Sequence, residues 1–335
     1  MKVLLVGYSA NYSLEASYYR AFTKIGVITE YFNIYNHLQP YIKFGKVGSL
    51  FNQFIPVDIW QRKVNRELAL YIKETKPDLV LVFCNAPVLY STLAFVKSVC
   101  QTKFILIWPD PLTNLQAHVH QSAQLYDGVA TYSKNSVPIF EKLGFLNVNW
   151  LPLAADPELH NISSIPQKKV NDLIFIGALR PEREETLAYI GNNFPNIKMI
   201  ILGSDWHRNK SDVLKKSIQK RQVVGKEYSL MLNQSKINLN IIDNTCFPAA
   251  NMRFFEIPIS SGLQLASVCP EFDDEFQDEL SVLYYNNKEN LLSRIEWILT
   301  NSSTANNIIR ESYQLVKNKH TYLERVNKLV SIWAS

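Results

Sequence analysis

The chain has 335 residues, more than one hydrophobic core usually organises, so two domains are expected. Its 35 basic and 30 acidic residues leave a formal charge of +5, without long blocks of like charge; this excludes a dedicated nucleic-acid binder but suits small anions. Four cysteines, Cys84, Cys100, Cys246 and Cys269, form no Cys-x-x-Cys pair, a usage that fits buried thiols in a reducing cytoplasm rather than a disulfide scaffold.

The first apolar run, 2–7 (KVLLVG), reads as a strand, too short for a signal peptide or a spanning helix and ended by Gly7. A soluble, cytoplasmic protein is expected, with a peripheral membrane contact left open. Further short β-branched and aliphatic runs follow at 27–33, 78–84, 103–108 and 128–132. They alternate with amphipathic helical patterns at 14–24, 60–75, 87–99 and 135–143. Continuous apolar strands separated by helices predict a parallel sheet covered on both faces. Residues 151–170 (LPLAADPELHNISSIPQKKV), with three prolines, carry a linker signature. The rhythm restarts at 172–177, 197–203, 222–225, 236–242 and 263–268, and 289–333 reads as helix alone. Two doubly wound α/β units in sequence are expected, with ligands at the carboxyl ends of the strands and those ends facing across a cleft.

Candidate chemistry sits at those strand ends. The turn after the first strand, Gly7-Tyr-Ser9-Ala-Asn11, lacks the glycines of a dinucleotide fingerprint, and no Walker-type loop occurs anywhere. Gly7 either makes a tight turn or, with Ser9, Asn11 and Asn85, forms an acceptor-side surface. Asp110 stands between two prolines in WPDP, either as a cleft carboxylate acting on a hydroxyl or as the cap of the next helix. His118 and His120 are two apart and would point away from each other on a helix, so no metal is assigned.

The stretch from Gly177 (GALRPERE) opens a helix and places Arg180 and Arg183 on one face of its first turn. There they suit a diphosphate, or pair with Glu182, Glu184 or Glu185. Farther on, FPAAN at 247–251 leads through Ala250 and Asn251 into a short apolar helix whose N-terminus offers amides to a pyrophosphate. Inside that helix Glu256 needs donors, either ribose hydroxyls or Arg253.

WPDP at 108–111, YDGVATYS at 126–133, LPLAADP at 151–157, FIGALRPER at 175–183, KINLNI at 236–241 and NMRFFEIPISSG at 251–262 occur in one order. Together they resemble the spore-maturation-protein (CgeB-like) branch of the GT-B glycosyltransferases. The resemblance implies an N-terminal Rossmann-like acceptor domain over 1–155, completed by a helix at 319–335 that crosses back. A linker at 156–170 and a donor domain at 171–318 would follow. It places the ribose-holding glutamate on Glu256 and the nucleobase loop on VVGKEYS, with Val224 and Tyr228 as candidates. The first glutamate of the wider superfamily's donor motif falls on Pro248, and one of its two diphosphate-binding cations on Ala178, the other on Arg183.

The implied activity is transfer of a sugar from a nucleoside-diphosphate donor, of UDP or GDP type, with retention and without metal or other cofactor. Asp110, Arg183 and Arg180 would be catalytic. The acceptor, a glycan, lipid-linked or protein group, would lie on the first domain, whose segment 38–63 mixes aromatics with Lys43, Lys46, Arg62 and Lys63. A non-catalytic binding protein and a nucleotide-sugar epimerase are the other readings the departures at Pro248 and Ala178 leave in play.

Overall fold

The apolar runs become two separate all-parallel sheets. The computed structural model describes residues 1–54, 56–160 and 168–333. One unit comprises Met1–Pro152 and Tyr322–Ser335, the other Leu153–Thr321. Of the proline-rich stretch, residues 156–160 fold with the second unit and 161–167 lie outside the described residues.

The first unit holds six strands in the order β2-β1-β3-β4-β5-β6. They are β1 (Lys2–Gly7), β2 (Ile28–Asn33), β3 (Leu79–Phe83), β4 (Lys103–Trp108), β5 (Gly128–Thr131) and β6 (Val148–Trp150). Every residue of β3, and all of β4 after Lys103, is buried, as expected of a strand covered on both faces. The edge strand β6 is three half-buried residues and carries too little pattern to be seen in sequence. Helix α1 (Leu14–Lys24) begins at Ser13, whose Oγ accepts from the Ala16 amide. Helices α2 (Gly45–Phe54) and α3 (Asp58–Thr75) follow β2, and α3 stops at Lys76, which takes the left-handed conformation.

The C-terminal helix, Tyr322–Trp333, belongs to this first unit. It buries Val326, Leu329 and Trp333. Its Arg325 Nε donates to the Pro152 carbonyl at 2.9 Å, and Lys103 Nζ donates to the Trp333 carbonyl at 3.0 Å. The Trp333 indole lies against Gly128 so closely that a Cβ there would stand 2.4 Å from Nε1.

The second unit holds five strands in the order β11-β10-β9-β7-β8. They are β7 (Asn171–Ile176), β8 (Met199–Leu202), β9 (Ser235–Asn240), β10 (Gln264–Ser267) and β11 (Leu283–Tyr285). The helices that matter below are α4 (Pro181–Asn193), α5 (Gly225–Asn233) and α6 (Arg253–Ile259). The expected strand at 222–225 does not form. Gly225 adopts φ 57° and turns the chain directly into α5, while Val223 joins a small apolar cluster with Tyr228, Leu232 and Ile257. The short strand β11 takes its place at the opposite edge of the sheet.

Candidate functional site

In the second unit the ends of β7 and β8 meet backbone to backbone. Gly203, at φ 137°, comes so near that a Cβ would sit 2.1 Å from the Gly177 carbonyl oxygen. That oxygen also accepts from Trp206 Nε1 at 2.7 Å. A Cβ on Gly177 itself would press on the Phe175 ring at 3.0 Å. The chain then enters α4, with Arg180 at the N-cap in extended backbone and Pro181 in the first helical position.

Arg183 is 5% exposed, and its guanidinium donates to the Ala178 carbonyl (3.0 Å) and to Asp243 Oδ2 (2.8 Å). Arg180 Nε stands 3.3 Å from the same oxygen. Asp243, just beyond β9, receives Thr245 Oγ1 (2.6 Å) and the Cys246 amide (3.2 Å) on Oδ1. The nearby glutamates are engaged elsewhere: Glu184 accepts the Ser211 amide, and Glu185 pairs with Lys288. The local pairing that the sequence allowed for the two arginines is therefore replaced by a carboxylate sixty residues away in sequence.

Burial of Asp243 works against its charge, but the Thr245 hydroxyl and the Arg183 and Arg180 guanidinia overcome it and hold the carboxyl below its ordinary range. For Arg183 the balance runs the other way: burial first, then repulsion from Arg253, lowers its pKa despite Asp243. Arg253 opens α6 and makes no ion pair among the described residues; its Nε is buried without an acceptor. Two guanidinium groups thus share one carboxylate, and Arg183 Nε, like Arg253 Nε, is buried without an acceptor.

Beside this cluster, Asn251 Nδ2 donates to Asn240 Oδ1 at 2.8 Å, while Asn251 Oδ1 accepts the Phe254 amide at 3.2 Å. Asn251, which precedes the N-cap Met252, therefore ties the first turn of α6 to β9, and Ala250 before it is buried. Glu256 is 9% exposed. Its Oε2 accepts the Tyr228 hydroxyl at 2.8 Å, and its Oε1 stands 3.6 Å from His160 Nε2. The Arg253–Glu256 ion pair that sequence spacing allowed is not formed. Tyr228 is raised well above its ordinary pKa, by burial first and by the adjacent Glu256 charge, so it is a neutral donor. The His160 ring packs edge-on to Tyr228 at 5.4 Å, with Nδ1 3.4 Å from Ser229 Oγ. Nothing in the sequence singled out His160, a lone histidine in a proline-rich stretch. Val224 is half-exposed at the N-cap of α5.

The remaining candidates lie in the first unit. Asp110 Oδ2 accepts Asn114 Nδ2 (2.7 Å). Asn85 Nδ2 donates to the Asn114 carbonyl (2.8 Å), and Asn85 Oδ1 accepts the Gln116 amide (3.1 Å). The loops after β3 and β4 are tied together by this chain of bonds. Asp110 makes no helix-capping hydrogen bond; the 3-10 turn that follows has none. Burial, and then the Asp110 charge, push the Cys84 thiol up to about 11. Gly7 allows a close approach, since a Cβ would stand 2.6 Å from Glu15 Oε1, which accepts the Tyr8 amide. Ser9 and Asn11 are exposed, and the Asn11 carbonyl accepts from Arg20. Glu15, raised by burial, and Tyr31, whose hydroxyl donates to the Tyr8 carbonyl, complete this end of the sheet and were not read from sequence.

Residues 181–331, under half of the chain, match a family model described as "Glycosyl transferase-like". No curated protein matches the chain by sequence. Sucrose-phosphate synthase from Thermosynechococcus elongatus superposes with a TM-score of 0.70 at 10% identity, over 99% of this chain and 98% of that one. HepE of Anabaena, in complex with UDP and glucose, gives 0.67 at 11% identity, over 100% and 99%. The α,α-trehalose 6-phosphate synthase of Burkholderia multivorans gives 0.66 at 12% identity, over 99% and 98%. These likenesses show the fold: two Rossmann-like α/β units of the GT-B glycosyltransferase type.

Proposed function

We propose that the protein is a glycosyltransferase that takes a sugar from a nucleoside-diphosphate donor, and that the donor's diphosphate lies on Arg253, Arg180 and Arg183. The carrying observation is the charge imbalance of the second unit: Arg253 has a buried Nε without an acceptor beside a pair that has already used its one carboxylate. A buried donor without a partner costs free energy that a bound anion returns. Planar guanidinium forks match phosphate oxygens in bidentate fashion. The match of 181–331 to a glycosyl transferase-like model and the UDP and glucose bound by HepE support the same choice of ligand.

In this reading, cleavage of the bond between the anomeric carbon and the diphosphate leaves negative charge on the leaving phosphate. The fixed arginines stabilise that charge as it forms, so no divalent metal is required of the scheme. The ribose hydroxyls donate to Glu256, held in place by Tyr228, and the base lies along Val224. Asn251, Ala250 and Gly177 shape the backbone around the phosphates. The first unit takes the acceptor on Gly7, Ser9, Asn11 and Asn85. Asp110 orients its hydroxyl or takes its proton, and the oxygen adds to the anomeric carbon on the face the diphosphate leaves, so the configuration is retained and the proton ends on Asp110 or on the departing diphosphate. UDP is the preferred nucleotide, after the ligand of HepE, and the resemblance of the motifs supports the CgeB-like branch.

Calorimetric titration with UDP, GDP and ADP tests the donor. Arg253→Met is expected to weaken the best of them roughly 10- to 100-fold, the worth of about 1.5–3 kcal/mol for a hydrogen bond to a charged group. Failure of every nucleoside diphosphate to bind, or equal affinity in the variant, would remove the proposal. Pro248 and Ala178, where the wider superfamily has a glutamate and a cation, favour a second reading, a binding protein without turnover. Donor hydrolysis or transfer in acceptor-containing extracts separates the two.

A further inference from the structure

Helix α2 turns apolar side chains outward. Phe44, which leads into it, is 83% exposed and Val47 75%. Within the helix Leu50 and Phe51 are exposed on the same face as Val47, at i+3 and i+4 from it. The side that packs inward carries Gly48 and Asn52. A Cβ on Gly48 would stand 1.8 Å from the Lys43 carbonyl oxygen, and Asn52 Oδ1 accepts the Val57 amide at 2.8 Å. That last bond draws the end of α2 to the first turn of α3, where Ile59 is exposed as well.

The same region is one-signed in charge. Between Glu30 and Glu67 the sole acid is Asp58, and Arg62 already holds it at 2.7 Å. Lys43, Lys46, Lys63 and Arg66 are exposed and have no ion pair among the described residues. An apolar helix face of this kind, rimmed by lysines whose alkyl stems can lie along it, is costly in water. It is complementary to one surface in particular: acyl chains beneath anionic headgroups. Among the described residues no helix is long and apolar enough to cross a membrane, so the contact is a surface one.

We infer that α2 and the first turn of α3 seat the first unit on an anionic lipid surface, with Phe44, Val47, Leu50 and Phe51 in the headgroup–acyl boundary and Lys43 and Lys46 on the phosphates. The test uses the full chain and pelleting with large vesicles, either of phosphatidylcholine alone or of phosphatidylcholine with phosphatidylglycerol. Partition is expected only with the anionic vesicles, and is expected to weaken with salt. Lys43→Gln and Lys46→Gln should each lower it about fivefold, the equivalent of ~1 kcal/mol per cation at the surface. Phe44→Ser with Phe51→Ser should lower it by at least about tenfold with the thermal midpoint unchanged, because both side chains are already in water in the free protein. The inference fails if neither vesicle binds, or if both bind equally and the lysine variants make no difference. It fails equally if the phenylalanine variants instead dissociate a dimer in sedimentation equilibrium, which would make a second copy of the chain the occupant.

Discussion

Replacing Asp243 by Asn keeps the shape of the side chain and removes the negative charge that Arg180 and Arg183 share. The carboxylate side chain is 3% exposed and that of Arg183 is 6%, and the pair closes at 2.8 Å, so water offers neither group much compensation. An ion pair broken on one side at such depth costs about 3–5 kcal/mol, because the other charge stays buried and unpaired. Here the abandoned charge also faces the repulsion of Arg253. Arg183→Met is the milder change. Asp243 then retains Thr245 Oγ1, the Cys246 amide and Arg180, so the loss should be nearer ~1–3 kcal/mol. The two together should cost less than their sum, with a coupling of about 2 kcal/mol or more. For a unit of this size each kcal/mol moves the thermal midpoint by roughly 2–4 °C, so Asp243→Asn alone should lower it by about 6–20 °C. Scanning calorimetry and urea unfolding of the four proteins measure the cycle. A single-variant loss under ~1 kcal/mol, or two losses that simply add, would refute the view that this pair is a closed, dry contact.

The same carboxylate sets an acid limb. Its folded pKa is depressed, so its contribution is present above the unfolded carboxylate pKa of about 4 and is lost as pH falls through the lower folded value; urea midpoints should therefore fall less steeply below about pH 4 in Asp243→Asn than in the parent. Gly203→Ala places a methyl 2.1 Å from the Gly177 oxygen at a φ of 137°, and should cost about 2–4 kcal/mol in chemical unfolding; a loss within ~0.5 kcal/mol would contradict the close approach of β7 and β8. Cys84, pushed up to about 11, should react with a disulfide reagent at pH 8 on the order of a hundredfold more slowly than an ordinary thiol, and equal rates in a single-cysteine variant would count against its burial.

What the sequence disclosed depended on how local each signal was. Strands β3 and β4 announce themselves because both faces are covered, which demands uninterrupted apolar runs. Strands β6 and β11 are edge strands of three residues each, and three residues carry no period. The Val-Val pair at 223–224 has the composition of a strand, but the left-handed turn at Gly225 ends it before a ladder can form. Arg180 and Arg183 could be put together by helical spacing alone. Their shared partner could not, since only the fold brings Asp243 to them across sixty residues. Glu256 was legible as a buried carboxylate, and its neighbour Arg253 was the obvious local partner. The fold instead supplies Tyr228 and His160, which frees the arginine.

The C-terminal helix also bears on how the protein is made. The first unit is discontinuous: the sheet is written in the first 152 residues, but Val326, Leu329 and Trp333 come after the whole of the second unit. On the ribosome the early strands must therefore wait, with the groove at Gly128 open, while residues 153–321 are synthesised and can close on their own core. A nascent chain halted before residue 322 would hold a finished second unit and an unfinished first one, so the order of completion is the reverse of the order of synthesis.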